Sequence, residues 1–270
     1  MDVRDRVVVV TGAGNGIGAA LARAVHGAGA RGVVVADVDR DRADEVAAGL
    51  NRNRPGTAIA VSADVSTEAA NAALVETSTE AFGPIDLFFA NAGIGVGTDL
   101  DATDEATWQL AFDVNVHAHR WAAKHLLPGW LARGEGYFVS TASAAGLLAQ
   151  IGAAPYSVTK HAAVAFAEWL SITYGDRGVR VSCLCPQGVN TAMINGPVQF
   201  AKGVDAVRAA GKVLEPDDVA AVVLDAIADE HFLILPHPEV HDFVQRKATD
   251  PDRWLAGMRR FQARLDAAGG

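Results

Sequence analysis

The stretch RVVVVTGAGNGIG at residues 6–18 decides how the rest of the chain can fold. Its valine run is typical of a strand that is buried on both faces, as in a parallel sheet. Gly12, Gly16 and Gly18 follow that strand and precede a helical pattern. Glycines at this spacing let the backbone turn tightly and approach a pyrophosphate, which then lies at the helix N-terminus. An ordinary glycine-rich turn is the alternative.

An acidic residue further along the chain favours the dinucleotide interpretation. Asp37 ends the second predicted strand, ~20 residues past the glycine loop, where dinucleotide-binding folds place a ribose-binding carboxylate. It can accept hydrogen bonds from the adenosine hydroxyls and would repel a 2′-phosphate. Neither Asn15 nor Val38 supplies a positive charge, and Arg40 and Arg42 lie just beyond. We therefore expect NAD(H) to be preferred over NADP(H).

Predicted strands and helices alternate along the chain, which indicates a single-domain α/β fold with a doubly wound, parallel, seven-stranded sheet of the Rossmann type flanked by helices. The predicted strands are residues 6–10, 32–37, 57–61, 85–90, 136–141, 179–185 and 232–235. The predicted helices are residues 19–30, 39–51, 66–82, 104–131, 154–174, 215–229 and, in two pieces separated by Pro251, 241–267. Within this one domain, residues 1–270, we expect a substrate lid at about 190–212 and a C-terminal helical extension at about 239–270.

The composition excludes several classes of function. The 270 residues are 50% hydrophobic and carry a net charge of −9, so binding to nucleic acid through phosphate neutralisation is not expected. The N-terminus does not resemble a signal peptide, and no apolar run is long enough to cross a membrane. We therefore expect a soluble, cytoplasmic protein. Cys183 and Cys185 lie in a strand pattern and are predicted to be buried thiols, with a disulfide or a metal pair as the alternative.

A second chemical feature is the segment from Ser143 to Lys160, which also holds Tyr156. The phenol and the ammonium lie four residues apart in a helical pattern, so both face one small volume. A nearby ammonium favours the phenolate, and this pair could exchange a proton near neutral pH. Taken alone, the pair could equally be an exposed one on a helix surface.

With these motifs in order, the chain resembles the short-chain dehydrogenase/reductase family over residues 5–235. The TGAGNGIG loop resembles that family's TGxxxGxG motif, and the NAG triplet its sheet-steadying motif. Gln187 departs from the pattern, because the family has glycine after the proline. The resemblance implies a cofactor site formed by Gly12, Asn15, Gly16, Ile17, Gly18, Asp37, Val38, Asp64, Val65, Asn91, Ala92, Gly93, Tyr156, Lys160, Pro186, Val189 and Thr191.

The resemblance also assigns catalytic roles. Tyr156 is expected to be the acid/base, and Lys160 to lower the phenol pKa and bind the nicotinamide ribose. Ser143 is expected to donate a hydrogen bond to the substrate oxygen. Asn115 is expected to hold a water that links Lys160 to solvent. The family further implies a homodimer or homotetramer built from the helices at 104–131 and 154–174.

The identity of the substrate is the property that the sequence predicts least well. The predicted substrate wall consists of Ala145, Gln150, Ile151, Gln187 and Met193. These residues are apolar or neutral, and no Arg or Lys clamp for an anion is evident. We therefore expect a neutral, hydrophobic secondary alcohol or ketone. A 3-oxoacyl-thioester reductase and a non-catalytic dinucleotide-binding regulator are the alternatives.

The remaining histidines are not predicted to bind metal. His117, His119 and His125 lie on one helix without the spacing and third ligand of a zinc site, so surface or packed roles are expected. His231, His237 and His241 lie around the last strand and are expected at the surface, with a substrate contact as the alternative.

Overall fold

A parallel sheet forms the centre of the molecule. The computed structural model describes residues 1–195 and 201–268. Within them, seven strands form one sheet in the order β3-β2-β1-β4-β5-β6-β7, and all the pairings are parallel. The strands are β1 Val7–Thr11, β2 Gly32–Asp37, β3 Ala58–Ser62, β4 Leu87–Ala90, β5 Gly136–Thr141, β6 Val179–Leu184 and β7 Leu233–Ile234. The predicted seven-stranded, doubly wound fold is confirmed, and its switch point lies between β1 and β4.

Helices cover both faces of the sheet. The helices are α1 Gly16–Gly27, α2 Arg40–Asn53, α3 Glu68–Phe82, α4 Glu105–Phe112, α5 Ala118–Arg133, α6 Ala154–Tyr174, α7 Ala192–Asn195, α8 Ala201–Ala210, α9 Pro216–Ala228, α10 Glu239–Thr249 and α11 Pro251–Ala268. Apolar residues of α1, α2 and α9 pack on one face, and those of α3, α5 and α6 on the other. None of the helices in the described ranges is long and apolar enough to cross a membrane.

The valine run of β1 shows why its sequence lacks polar alternation. Val8 and Val10 belong to the hydrophobic cluster under α1, whereas Val7 and Val9 belong to the cluster under α5 and α6. All four side chains are fully buried. Burying one valine side chain stabilises the fold by about 1.5–3 kcal/mol, so both faces of this strand contribute to the core.

The long helical region predicted at 104–131 is interrupted. Between α4 and α5 the backbone makes a wide π-helical turn, Asp113–His117. Such turns are rare and occur frequently at functional sites. Here the turn carries Asn115, whose side chain is fully buried. Helix α5 ends at Arg133, and the next residue, Gly134, has the left-handed conformation that a glycine adopts easily.

The segment predicted as a lid has more regular structure than its irregular sequence pattern indicated. Helix α8 lies within it, and α7 precedes the gap. Residues 196–200 of the predicted lid lie outside the described part of the chain. The predicted C-terminal extension forms α10 and α11, which are separated at Pro251 as expected, and residues 269–270 lie outside the described part.

Candidate active site

The carboxyl ends of the central strands open onto a cavity of about 620 Å³. This edge of an open α/β sheet is where ligands bind. All seventeen predicted cofactor residues line this cavity. So do Ser143 and, from the predicted substrate wall, Ala145, Gln150, Gln187 and Met193. Asn115 and Ile151 do not line it and are buried behind its wall.

The glycine loop needs its glycines because the backbone is crowded. Gly12 and Gly16 have φ angles of 62° and 52°, a region that other residues rarely adopt. A Cβ atom on Gly18 would overlap the carbonyl oxygen of Gly12. In the described structure, Asn15 makes no side-chain cap to α1, so the first N–H groups of that helix stay available beside the cavity. This arrangement suits a pyrophosphate group.

Asp37 is held in place by backbone donors. Its Oδ2 accepts from the Gly14 N–H at 2.8 Å, and its Oδ1 accepts from the Asp39 N–H at 3.0 Å. The nearby arginines are already paired with carboxylates. Arg40 lies 2.7 Å from Asp44, and Arg42 lies 3.0 Å from Asp39. The end of β2 therefore presents a fixed negative charge to the cavity.

The NAG triplet ties three strand ends together. Asn91 Nδ2 donates to the Thr11 carbonyl at 3.0 Å, and Thr141 Oγ1 donates to Asn91 Oδ1 at 3.2 Å. Thr11 Oγ1 accepts from the N–H groups of Asn91 and Ala92, both at 3.0 Å. These bonds join β1, β4 and β5 under the cavity floor, as the sheet-steadying role implied.

Ser143 and Tyr156 meet at the cavity wall. Ser143 lies two residues beyond Thr141, the last residue of β5, and its Oγ accepts from the Ala145 N–H at 3.1 Å. Tyr156 lies in the first turn of α6 and is hydrogen-bonded to Ser143. Burial raises the pKa of the Tyr156 phenol above its ordinary value, while the Ser143 hydrogen bond acts in the opposite direction. The expected lowering of this pKa is therefore wrong for the protein alone, because burial outweighs the other influences.

Lys160 lies one helical turn beyond Tyr156 and is 2% exposed. Its Nζ donates to the Thr141 carbonyl at 2.9 Å and lies 5.7 Å from the centroid of the Tyr156 ring. Burial lowers the pKa of Lys160 to about 8. The ammonium and the phenol are thus both disfavoured in their charged forms, since each is removed from water.

Asn115 lies behind Lys160. Its Oδ1 accepts from the Ile94 N–H at 2.9 Å, and its Nδ2 donates to the Ile94 carbonyl at 3.0 Å and to Thr159 Oγ1 at 3.1 Å. A Cβ atom on Gly93 would lie 3.1 Å from Lys160 Nζ and 3.3 Å from Asn115 Oδ1. The π-helical turn therefore aims this amide at the segment after β4, and its predicted water contact stays a prediction.

Two hydrogen bonds join the predicted substrate wall to surrounding segments. Gln150 Nε2 donates to the Gly203 carbonyl of α8 at 2.9 Å, which connects that wall to the segment predicted as a lid. Lys247 Nζ on α10 donates to the Leu147 carbonyl at 2.6 Å. Between them, Ala149 has a φ of 100°, which is strained for a residue with a side chain.

Two histidines have roles that the sequence pattern did not show. His119 is buried, as one of its expected roles allowed, and its Nδ1 lies 2.9 Å from Ser140 Oγ. Burial, aided by the charge of Lys160, lowers the pKa of His119 to about 3. His237 was expected at the surface, which is wrong, since it is 2% exposed and bonded to the loop after β6. Contacts between segments so distant in sequence leave no local pattern.

The predicted departure at Gln187 is visible in the structure. Its backbone N–H donates to His237 Nδ1 at 3.1 Å, and its side chain lines the cavity. Within the described residues, its Oε1 atom is buried without a hydrogen-bond partner. A Cβ atom on Gly211 would lie 3.1 Å from that oxygen.

Comparisons with known proteins agree with this geometry. The family model described as short chain dehydrogenase matches residues 6–199. Meso-2,3-butanediol dehydrogenase of Serratia marcescens is 36% identical over 84% of this chain and 88% of its own length. Cis-4-hydroxycyclohexanecarboxylate dehydrogenase of Sinomonas cyclohexanicum is 33% identical over 83% and 90%.

A solved structure gives the same result at the level of the fold. A short-chain dehydrogenase/reductase from Burkholderia phymatum in complex with NAD superposes with a TM-score of 0.84 at 32% identity. The match covers 93% of this chain and 96% of that one. This chain therefore belongs to the short-chain dehydrogenase family.

Proposed function

We propose that the protein is an NAD-dependent oxidoreductase that transfers a hydride between nicotinamide and a secondary alcohol or ketone. One observation carries the proposal. A single cavity has the carboxylate of Asp37 on its wall together with Ser143, Tyr156 and Lys160. The Burkholderia phymatum relative with NAD and the two alcohol-oxidising relatives support this assignment.

The residues at the adenosine side fit NAD(H) better than NADP(H). Gly14 and Asp39 fix the Asp37 carboxylate, which can accept hydrogen bonds from two ribose hydroxyls. A 2′-phosphate in that position would meet a negative charge. Arg40 and Arg42 offer little compensation because each already pairs with a carboxylate. When bound, the nicotinamide ring supplies the hydride chemistry.

Ser143 and Tyr156 both contact the substrate oxygen that reacts. In ketone reduction, the Tyr156 O–H transfers its proton to that oxygen, and Ser143 donates a hydrogen bond to it where negative charge develops. The raised pKa of Tyr156 keeps the phenol protonated, ready for this direction. The phenolate that results is stabilised by the charge of Lys160. In alcohol oxidation the proton moves the opposite way.

The cavity favours a neutral, hydrophobic substrate. Its lining includes the apolar side chains of Met193, Ile194, Val204 and Val207. Among the described residues that line it, Lys160 is the one cationic side chain. A substrate with a carboxylate or phosphate would thus find no free cation, whereas an apolar ring or chain would bury its surface.

A substrate screen tests the proposal. NADH formation is measured with secondary alcohols in matched neutral and carboxylated pairs, each with NAD and with NADP. We expect turnover with NAD and a higher kcat/KM for the neutral member of each pair. Faster turnover with NADP would contradict the cofactor assignment. An absence of turnover together with tight dinucleotide binding would favour the non-catalytic regulator.

We also propose that the chain forms a homodimer or a homotetramer. Helices α4 and α6 expose large apolar side chains, namely Leu110, Val158, Trp169 and Ile172. Ile172 alone is 83% exposed, and large exposed apolar surface of this kind marks sites of protein–protein contact. Light scattering coupled to size exclusion measures the mass, and a monomer would contradict the proposal.

A further inference from the structure

His237 lies between β7 and α10 and contacts the loop that follows β6. Its Nδ1 is 3.1 Å from the Gln187 backbone nitrogen, and its Nε2 is 3.0 Å from the Gly188 carbonyl oxygen. One imidazole thus spans two neighbouring residues of a loop about fifty positions earlier in the chain. The ring is 2% exposed, so solvent water has little access to these two hydrogen bonds.

The partners determine the protonation state of the ring. A backbone N–H can only donate, so Nδ1 must accept from Gln187. A backbone carbonyl can only accept, so Nε2 must carry the proton and donate to Gly188. A histidine offers one acceptor and one donor only in its neutral form. His237 is therefore neutral, with its proton on Nε2.

The loop that His237 holds forms one side of the cavity. Pro186, Gln187, Val189 and Thr191 all line it. The Pro186 carbonyl accepts from the Ala144 N–H at 2.8 Å, which couples the loop to the residue after Ser143. Two further residues hold the loop from the side away from Ala144. The Leu214 backbone forms hydrogen bonds with Gly188 and Asn190, and His237 bonds to Gly188.

We propose that His237 is a positioning residue for the nicotinamide side of the cofactor site. It fixes the backbone of Gln187 and Gly188, and through them the position of Val189 and Thr191. This inference rests on the proposed NAD-dependent function. The side-chain oxygen of Gln187 is buried without a hydrogen-bond partner among the described residues, so the bond from its backbone N–H to the imidazole restrains this residue.

The test compares binding of the whole cofactor with binding of its ADP-ribose part. Dissociation constants are measured by calorimetry for NADH and for ADP-ribose, which lacks the nicotinamide ring. The variants are His237→Leu, which removes both hydrogen bonds, and His237→Gln, whose amide offers one acceptor and one donor. His241→Leu is the matched control, because His241 is exposed four residues further on.

We expect His237→Leu to weaken NADH binding about tenfold, the effect of losing hydrogen bonds to a buried loop. ADP-ribose binding is expected to change less than about twofold, since its contacts lie at the glycine loop and Asp37. His237→Gln is expected to recover most of the NADH affinity, and His241→Leu to match the wild type. Equal losses for both ligands in His237→Leu would overturn the positioning role.

A failure of the proposed function gives a different result. If the wild-type protein binds neither NADH nor ADP-ribose, the dinucleotide assignment is wrong, independently of His237. Should His237→Leu not fold, long-range ¹H–¹⁵N correlation of ¹⁵N-histidine in the wild type reports the tautomer directly, with His237→Gln identifying the signal. A proton on Nε2 supports the positioning role of His237, and a proton on Nδ1 overturns it.

Discussion

Replacing Val38 with arginine is expected to relax the discrimination against NADP(H). Val38 lines the cavity next to Asp37 and is 70% exposed, so the substitution should cost little stability. An arginine there offers a free guanidinium, unlike Arg40 and Arg42, which are paired with carboxylates. It would provide a charge-assisted, bidentate partner for a 2′-phosphate.

The size of the effect follows from the exposure of the site. Opposite unit charges 4 Å apart attract by about 1 kcal/mol in bulk water and about 4 kcal/mol at the effective dielectric constant of a protein surface. Because Val38 is 70% exposed, the lower part of that range applies. A gain of about 1–1.4 kcal/mol corresponds to a five- to tenfold rise in kcat/KM for NADP. The value for NAD is expected to change less than about threefold, since NAD has a free 2′-hydroxyl there and no 2′-phosphate to attract.

Steady-state kinetics with both cofactors measure this change, at low and at high salt. Val38→Gln is the control, because glutamine is polar and extended but carries no charge. The NADP gain should be absent in Val38→Gln and should shrink at high ionic strength, where exposed charges are screened. An equal gain in both variants, or a gain insensitive to salt, would refute the electrostatic reasoning about Asp37.

Three further predictions concern the proton donor Tyr156, the buried His119 and the strained backbone at Ala149. Tyr156→Phe is expected to abolish turnover, because the proton donor is lost, while NADH binding measured by fluorescence is retained. His119→Leu is expected to flatten the acid side of the stability curve. The pKa of His119 is about 3 in the folded protein, below its value in the unfolded chain. The neutral ring therefore contributes its full share to the free energy of unfolding above pH ~6.5. That share is lost at about 1.4 kcal/mol per pH unit as the pH falls from there towards 3. Ala149→Gly is expected to raise the melting temperature, because relief of a strained φ of 100° exceeds the entropic cost of glycine.

The first two of these have a control within the chain. Tyr174→Phe removes a phenol from the far end of α6, so it should leave turnover unchanged; full activity in Tyr156→Phe would refute the proton-donor role. For His119, the slope of melting temperature against pH is compared with that of His125→Leu, and an unchanged slope would exclude His119 as the acid-sensitive group. A lower melting temperature in Ala149→Gly would show that the unusual φ is not a source of strain.

Much of the fold could be predicted from the sequence because its signals are local. The valines of β1 are contiguous because both faces of that strand are buried. The glycine loop could be recognised because the crowding at Gly12 and Gly18 excludes other residues, which leaves a pattern at fixed spacing. The same holds for Asp37, since the end of a strand next to the loop is determined by the βαβ connection itself.

Other parts could not be predicted, because they depend on contacts between distant segments. The π-helical turn at Asp113–His117 has no signal in the helical pattern that surrounds it. The Gln187 partner of His237 lies fifty residues earlier in the chain, so the sequence around this histidine indicated a surface position, with a substrate contact as the alternative. Helix α8 was missed although its own apolar residues recur at a helical spacing. The glycines and polar residues around it, over residues 190–211 as a whole, indicated a loop instead.

The pKa of Tyr156 shows why a motif alone does not determine a chemical property. The spacing of Tyr156 and Lys160 predicts that the two share one face of α6, and the structure shows this. The sign of the shift, however, depends on how much water the fold removes. Burial raises the pKa of the phenol and lowers that of the ammonium, so the protein alone favours the neutral form of each group. An ionised pair becomes favourable only when both charges are present together, because each then stabilises the other. Proton exchange at this site is therefore a property of the pair and its surroundings rather than of a tyrosine activated in advance.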